Sequence, residues 1–185
     1  MNLPPVKNPS NEPANVYLIG FMASGKTRIG KLIARQLGRP FLDTDEMIVE
    51  KTGLSIPKIF EKWGEARFRE IEKEIVSQVA GMRGRIVALG GGAVMDPGNW
   101  EILDLSGTII CLSYPPDIIE ERAARSRQRP LLNQESSRER SERIRALLER
   151  REPVYRKADL FLHLNQEVDA RRVAAAIIGY LGKPE

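Results

Sequence analysis

The chain has 185 residues, 42% of them hydrophobic and 29% charged, with a net charge of +4, the profile of a water-soluble domain with room for one sizeable core. Its longest apolar runs, such as Gly107–Leu112 and Val173–Ile178, are far too short to span a bilayer. The polar, proline-rich opening Met1–Pro13 has no secretory pattern, and the single cysteine, Cys111, cannot form an internal disulfide, so the expectation is a cytoplasmic protein.

Met1–Asn15 holds four prolines and no periodicity, which predicts a disordered tail over residues 1–14 and a single domain over 15–185. Val16–Ile19 reads as a short buried strand. Lys26–Leu37 reads as a helix stopped by Gly38 and Pro40. Phe41-Leu42 is a second strand, with Asp43-Thr44-Asp45 at its carboxyl end. A short helical pattern near Glu46–Lys51 and a long one over Glu65–Val79 follow. Arg85–Leu89 is a third strand, broken by Gly90-Gly91-Gly92. Thr108–Leu112 and Leu160–Leu164 are the fourth and fifth. Strands alternating with helices predict an α/β fold: a parallel sheet covered on both faces. Arg125–Ser137 has no apolar period and predicts a mobile loop inserted between two helices.

The charge is unevenly placed. Glu120–Lys157 contains twelve basic and seven acidic residues, enough to account for the whole basic excess, and eleven of the twelve are arginine. Alternating Glu and Arg over Ser136–Arg151 suits a solvated, ion-paired helix. No aromatic residues interleave with the arginines as base-stacking platforms would, which argues against nucleic acid. Phosphate handling is the third reading, and the rest of the chain favours it.

Gly20-Phe-Met-Ala-Ser-Gly25-Lys26-Thr27 matches the phosphate-loop pattern in full. Glycines let successive backbone N–H groups curl around phosphate oxygens at a helix N-terminus whose dipole favours negative charge. Lys26 can reach the β- and γ-phosphates, and the Thr27 hydroxyl can ligate Mg²⁺. Asp43 and Asp45 stand beyond strand two, where ligands of open parallel sheets bind. In an extended segment their spacing would aim both carboxylates to one side, one for a metal and one to accept a hydroxyl proton. An N-cap for the next helix, from Thr44 or Asp45, is the structural alternative. Gly90–Gly92 allows a close backbone approach to a ligand, or a plain turn. Arg69 and Arg151 suit bidentate capture of a carboxylate; singly, each also suits a surface ion pair. The residues by themselves reach a phosphoryl-transfer enzyme with an anionic acceptor.

Together these motifs resemble the shikimate kinase family from about Asn15 to Gly179. The order is a phosphate loop, Asp43-Thr-Asp45, Gly64-Glu-Ala-Arg-Phe68-Arg69, Gly90-Gly-Gly-Ala93, Arg129-Pro-Leu-Leu132 and Arg151-Glu-Pro-Val-Tyr155. The resemblance implies a P-loop NTPase-type three-layer domain with a five-stranded parallel sheet and a lid near residues 125–137. It implies transfer of the γ-phosphoryl of ATP to the 3-hydroxyl of shikimate, in aromatic amino-acid biosynthesis, by a monomer that binds neither nucleic acid nor membrane.

By position it implies that Met22, Ala23, Ser24, Gly25, Lys26 and Thr27 line the nucleotide phosphates, with Arg122 packing on adenine. Thr27 and Asp43 would serve Mg²⁺, and Asp45 the reacting hydroxyl as its base. Arg69, Arg151 and the Gly91 backbone would hold shikimate, and Arg129 would come down with the lid onto the transferring phosphate. The chain departs from the pattern at Ala23, where glycine is usual, at Val154, where leucine is usual, and at Leu164–Glu167, which lacks a proline. His163, Cys111, Trp63 and Trp100 read as structural. Two alternatives remain: a kinase for another polyol acid such as gluconate, and a non-catalytic ATP-binding module, which the filled motif positions and the lack of a helix-turn-helix segment disfavour.

Overall fold

A computed structural model describes residues 13–125 and 137–182. Five parallel strands form one sheet in the order β2-β3-β1-β4-β5: β1 Asn15–Ile19, β2 Phe41–Asp43, β3 Ile86–Ala88, β4 Gly107–Ser113 and β5 Leu160–His163. The helices between them are α1 Lys26–Leu37, α2 Thr44–Thr52, α3 Ile56–Ala80, α4 Pro97–Ser106, α5 Pro116–Arg125, α6 Ser137–Tyr155 and α7 Ala170–Leu181. A 3₁₀ turn, Ala93–Met95, leads from β3 toward α4.

Both faces of the sheet are buried because its central strands β1, β3 and β4 are mostly apolar, and successive side chains leave opposite faces. Val16, Leu18, Ile110 and Leu112 pack under Ile29 and Ile33 of α1 and Val173 and Ile177 of α7. Tyr17, Ile19, Ile109 and Cys111 pack against Val76 and Val79 of α3, Leu103 of α4 and Tyr155 of α6. The expected three-layer α/β architecture is the one observed.

Several sequence expectations shift. The long helix starts at Ile56 rather than Glu65, because an additional helical stretch precedes it. Gly64 (φ 77°, ψ 173°) kinks α3 between the two parts, a conformation that glycine reaches without the clash a Cβ would bring. α6 runs past Arg151 to Tyr155 and carries Pro153 inside it. Asp43 and Asp45 do not share an extended segment. Asp43 ends β2 and is itself the N-cap of α2, accepting from the Asp45 N–H at 3.0 Å, while Asp45 stands in the helix's first turn. Neither Thr44 nor Asp45 is the cap.

Cys111 is buried in β4 and Trp100 is part-buried against the second core, as structural residues are. Trp63, 39% exposed, is not a core residue. His163 is exposed at the end of β5. Arg138 pairs with Glu142 one turn on along α6, Glu152 of α6 pairs with Arg156 just beyond the helix's end, and Arg145 reaches Glu120 on α5. No helix among the described residues is long and apolar enough to cross a membrane.

Candidate active site

The strand order carries the loops after β1, β2 and β3 to one edge of the sheet. The Leu89 N–H donates to the Leu18 carbonyl, and the Gly90 N–H to the buried Thr44 hydroxyl at 2.9 Å. Here the phosphate loop, the Asp43–Asp45 segment and the triple glycine converge.

The phosphate loop closes on itself. The Lys26 ammonium crosses it to donate to the Gly20 and Phe21 carbonyls at 2.9 and 3.0 Å. Gly25 adopts φ 89° ahead of α1, and Ala23 holds φ 63°, the one non-glycine left-handed residue among those described. A left-handed alanine costs about 1–2 kcal/mol relative to the right-handed conformation, so the glycine-to-alanine departure adds strain to this loop. The Ser24 hydroxyl oxygen is buried without a hydrogen-bond partner. Thr27, at the second position of α1, donates through Oγ1 to Asp43 Oδ2 at 2.7 Å. This pairs the two oxygen groups expected to serve a divalent cation.

The triple glycine is packed from several directions. A methyl group placed on Gly90 would lie 2.8 Å from Asp45 Oδ1 and 3.1 Å from Glu72 Oε1. One on Gly91 would meet Arg151 Nη1 at 3.3 Å and the Met22 N at 3.5 Å, and one on Gly92 would meet Arg69 Nη1 at 2.9 Å. Side chains of ordinary size would push these groups apart. The two arginines, 82 residues apart in sequence, therefore flank one glycine turn, with Asp45 on its Gly90 side and the phosphate loop beside Gly91.

Each guanidinium is held. Arg69 donates from Nη1 to Glu72 Oε2 at 2.7 Å and from Nη2 to Glu65 Oε1 at 3.1 Å. Burial works against its charge, but the two carboxylates outweigh it and raise its pKa. Arg151 donates from Nη1 to the Gly91 carbonyl at 3.1 Å and lies 5.3 Å above the centre of the Phe21 ring. Glu72 did not emerge from the sequence. It is a buried carboxylate in the site's wall, and burial pushes its pKa up. The available signal was an acidic residue on the helix face that carries Phe68, Val76 and Val79, where an apolar side chain would be expected.

Arg122 stands on the outer side of the phosphate loop. Its guanidinium lies 3.9 Å over the Tyr114 ring centre, forks onto both Glu167 oxygens at 2.8 and 2.8 Å, and donates to the Ala23 carbonyl at 3.3 Å. Glu167 belongs to the segment after β5, of which the sequence reading assigned no residue to the site. Arg129 and nearly all of the expected lid, residues 126–136, lie outside the described residues.

A family model described as shikimate kinase matches residues 22–181. A shikimate kinase from Geobacter sulfurreducens is 46% identical over 146 residues, 79% of each chain. The structure of a shikimate kinase from Acinetobacter baumannii in complex with shikimate superposes with a TM-score of 0.85 at 38% identity, covering 91% of this chain and 93% of that one. A gluconokinase from Sinorhizobium meliloti shares the fold alone, with a TM-score of 0.55 at 17% identity.

Proposed function

The chain belongs to the shikimate kinase family, and from that membership and the site's geometry we propose that it transfers the γ-phosphoryl group of ATP to the 3-hydroxyl of shikimate. The observation that carries the reading is the glycine turn at Gly90–Gly92, with Asp45 and two arginines around it and the Met22 N–H beside it. It offers a hydroxyl-binding carboxylate, two carboxylate-binding forks and a phosphate cradle within one small volume.

In the proposed reaction, Met22, Ala23, Ser24 and Gly25 cradle the phosphates of ATP, and Lys26 leaves its loop carbonyls to meet the β- and γ-oxygens. Arg69 and Arg151 grip the carboxylate of the acceptor, and the Gly91 backbone contacts it. Held this way, the acceptor turns a hydroxyl toward Asp45. A lone pair of that hydroxyl oxygen forms a bond to the γ-phosphorus as the bond to the bridging oxygen breaks, and ADP leaves with the electron pair of the broken bond. The hydroxyl proton passes to the Asp45 carboxylate, which is exposed to the site. Positioning and charge stabilisation supply most of the rate in such transfers. Arg129 would add its charge to the transferring phosphate, as the resemblance implies, and Arg122 would pack on adenine.

Thr27 Oγ1 and Asp43 Oδ2, 2.7 Å apart, are hard oxygen donors of the kind Mg²⁺ takes. No cluster of three or more metal-binding side chains occurs among the described residues. The site thus fits an ion held largely by phosphate and water oxygens, as Mg²⁺ is in phosphoryl-transfer enzymes. Bound there, Mg²⁺ would neutralise charge on the β- and γ-phosphates.

The ion pairs on α6 support a structural reading of its arginines over a nucleic-acid one, and a cytoplasmic location fits the family. Phosphorus and proton NMR of the product tests the chemistry. A single phosphomonoester coupled to the proton on carbon 3 of shikimate is expected; a phosphate on another hydroxyl would overturn the 3-hydroxyl assignment.

A further inference from the structure

We propose that Tyr155 is a positioning residue for the acceptor side of the site, fixing the Gly91–Gly92 peptide and the Arg151 guanidinium together. The proposal rests on the acceptor reading of Arg151 and Gly91 given above.

Tyr155 lies one helical turn after Arg151, so both side chains leave α6 on the same face. The Tyr155 ring is 3% exposed and packs in the core beneath the sheet's carboxyl edge, among residues including Leu89, Ala93 and Cys111. Its hydroxyl donates to the Gly91 carbonyl at 2.6 Å, and Arg151 Nη1 donates to the same oxygen at 3.1 Å. The directions of both bonds are forced: a carbonyl oxygen only accepts, so the Tyr155 hydroxyl spends its proton on Gly91, and arginine has only donors. One carbonyl oxygen thus joins both side chains, and moving it strains two bonds.

This shared anchor matters because three glycines in a row have the softest backbone a chain can present. Each carbonyl of the turn is tied: Gly90 to the Ala93 N–H at 3.1 Å, Gly92 to the Met95 N–H at 3.0 Å, and Gly91 to Tyr155 and Arg151. The described peptides are all trans, so each carbonyl fixes the opposite heading of the N–H that follows it. The Ala93 bond sets the Gly91 N–H. The Tyr155 bond sets the Gly92 N–H, beside the Arg69 guanidinium. Tyr155 therefore preorganises the turn before the acceptor arrives, lowering the ordering cost of binding. Burial pushes its pKa up to about 12, so the hydroxyl keeps its proton and donates throughout the neutral range.

The test is Tyr155→Phe, which keeps the ring in its apolar setting and leaves Arg151 donating to Gly91. Losing one internal hydrogen bond of typical strength predicts a rise in the shikimate KM of about fivefold to tenfold. The ATP KM should stay within about twofold and Tm should fall by no more than about 2–4 °C, since the phosphate loop is untouched and the ring keeps its packing. An unchanged shikimate KM overturns the proposal, and so do parallel losses for both substrates accompanied by a larger fall in Tm, the mark of a merely structural tyrosine. Failure of the acceptor reading is separable: wild-type protein would then release no ADP with shikimate at all.

Discussion

Arg69 and Glu72, one turn apart on α3, form a 2.7 Å ion pair in which the arginine side chain is 39% exposed and the glutamate only 4%. The buried carboxylate holds the exposed guanidinium against the glycine turn. Burial raises the Glu72 pKa, Arg69 opposes the rise, and the nearby Asp45 charge adds to it.

That imbalance has a pH signature. A carboxyl whose folded pKa is raised binds its proton more tightly in the native state, so its contribution to stability is fully present below the unfolded value and is lost as pH rises through the folded one. Glu72→Gln removes this loss. The Tm difference, variant minus wild type, should therefore grow more positive as pH climbs from about 4.5 toward 7. Arg69 loses its charged anchor at the same time, and shikimate affinity should fall about tenfold, within the range for a hydrogen bond to a charged group. Thermal melts across pH with calorimetry at neutral pH check both halves.

Asp45→Asn isolates the proposed base. Proton acceptance contributes about 10²–10⁴ in rate, so kcat should drop at least about a hundredfold while ATP binding stays intact. The cap of α2 survives, because it is the Asp45 backbone N–H and the Asp43 side chain that form it, so Tm should hold. A kcat within about fivefold of wild type would remove Asp45 from the chemistry.

Arg69→Ala and Arg151→Ala separate acceptor recognition from ion pairing. Truncating one partner of a desolvated charge pair costs about 2–5 kcal/mol, whereas an exposed bridge is worth about 1 kcal/mol or less. Each variant should bind shikimate at least about thirtyfold more weakly with ATP affinity nearly constant. Lysine should rescue only in part, lacking the planar fork. Unchanged shikimate affinity by calorimetry would return both arginines to a surface role.

Arg122 and Glu167 give a weaker expectation on the nucleotide side. Their fork spans 45 residues of sequence and anchors the Arg122 contact with the Ala23 carbonyl. Glu167 is 55% exposed, so solvent screening limits the pair to about 1 kcal/mol. Glu167→Gln should raise the ATP KM no more than about fivefold and leave the shikimate KM alone. Added salt should produce a similar change in wild type and little in the variant.

The sequence disclosed those parts of the fold and site that are local. The phosphate loop is one contiguous segment, and α1 was delimited at Lys26–Leu37, as observed, because capping glycines mark it. The buried strands announced themselves through uninterrupted apolar runs. What stayed hidden depends on tertiary placement. Glu72 reads as one more helix carboxylate until α3 docks on β3. The Asp43–Asp45 spacing suggested a shared extended face, yet the Asp43 side chain turns to cap α2, a choice that local spacing does not decide. Trp63 suggested a packing role, yet it lies 39% exposed, next to the kink at Gly64. The partners of Arg122 and Tyr155 lie 45 and 64 residues away, and no periodicity links them.

The most direct measurement is magnesium-dependent ADP release by the purified chain with shikimate, gluconate, quinate or no acceptor. Rapid turnover is expected with shikimate, and near-background release in the other three. Gluconate supporting ADP release tenfold better than shikimate, or equal release with no acceptor, would contradict it.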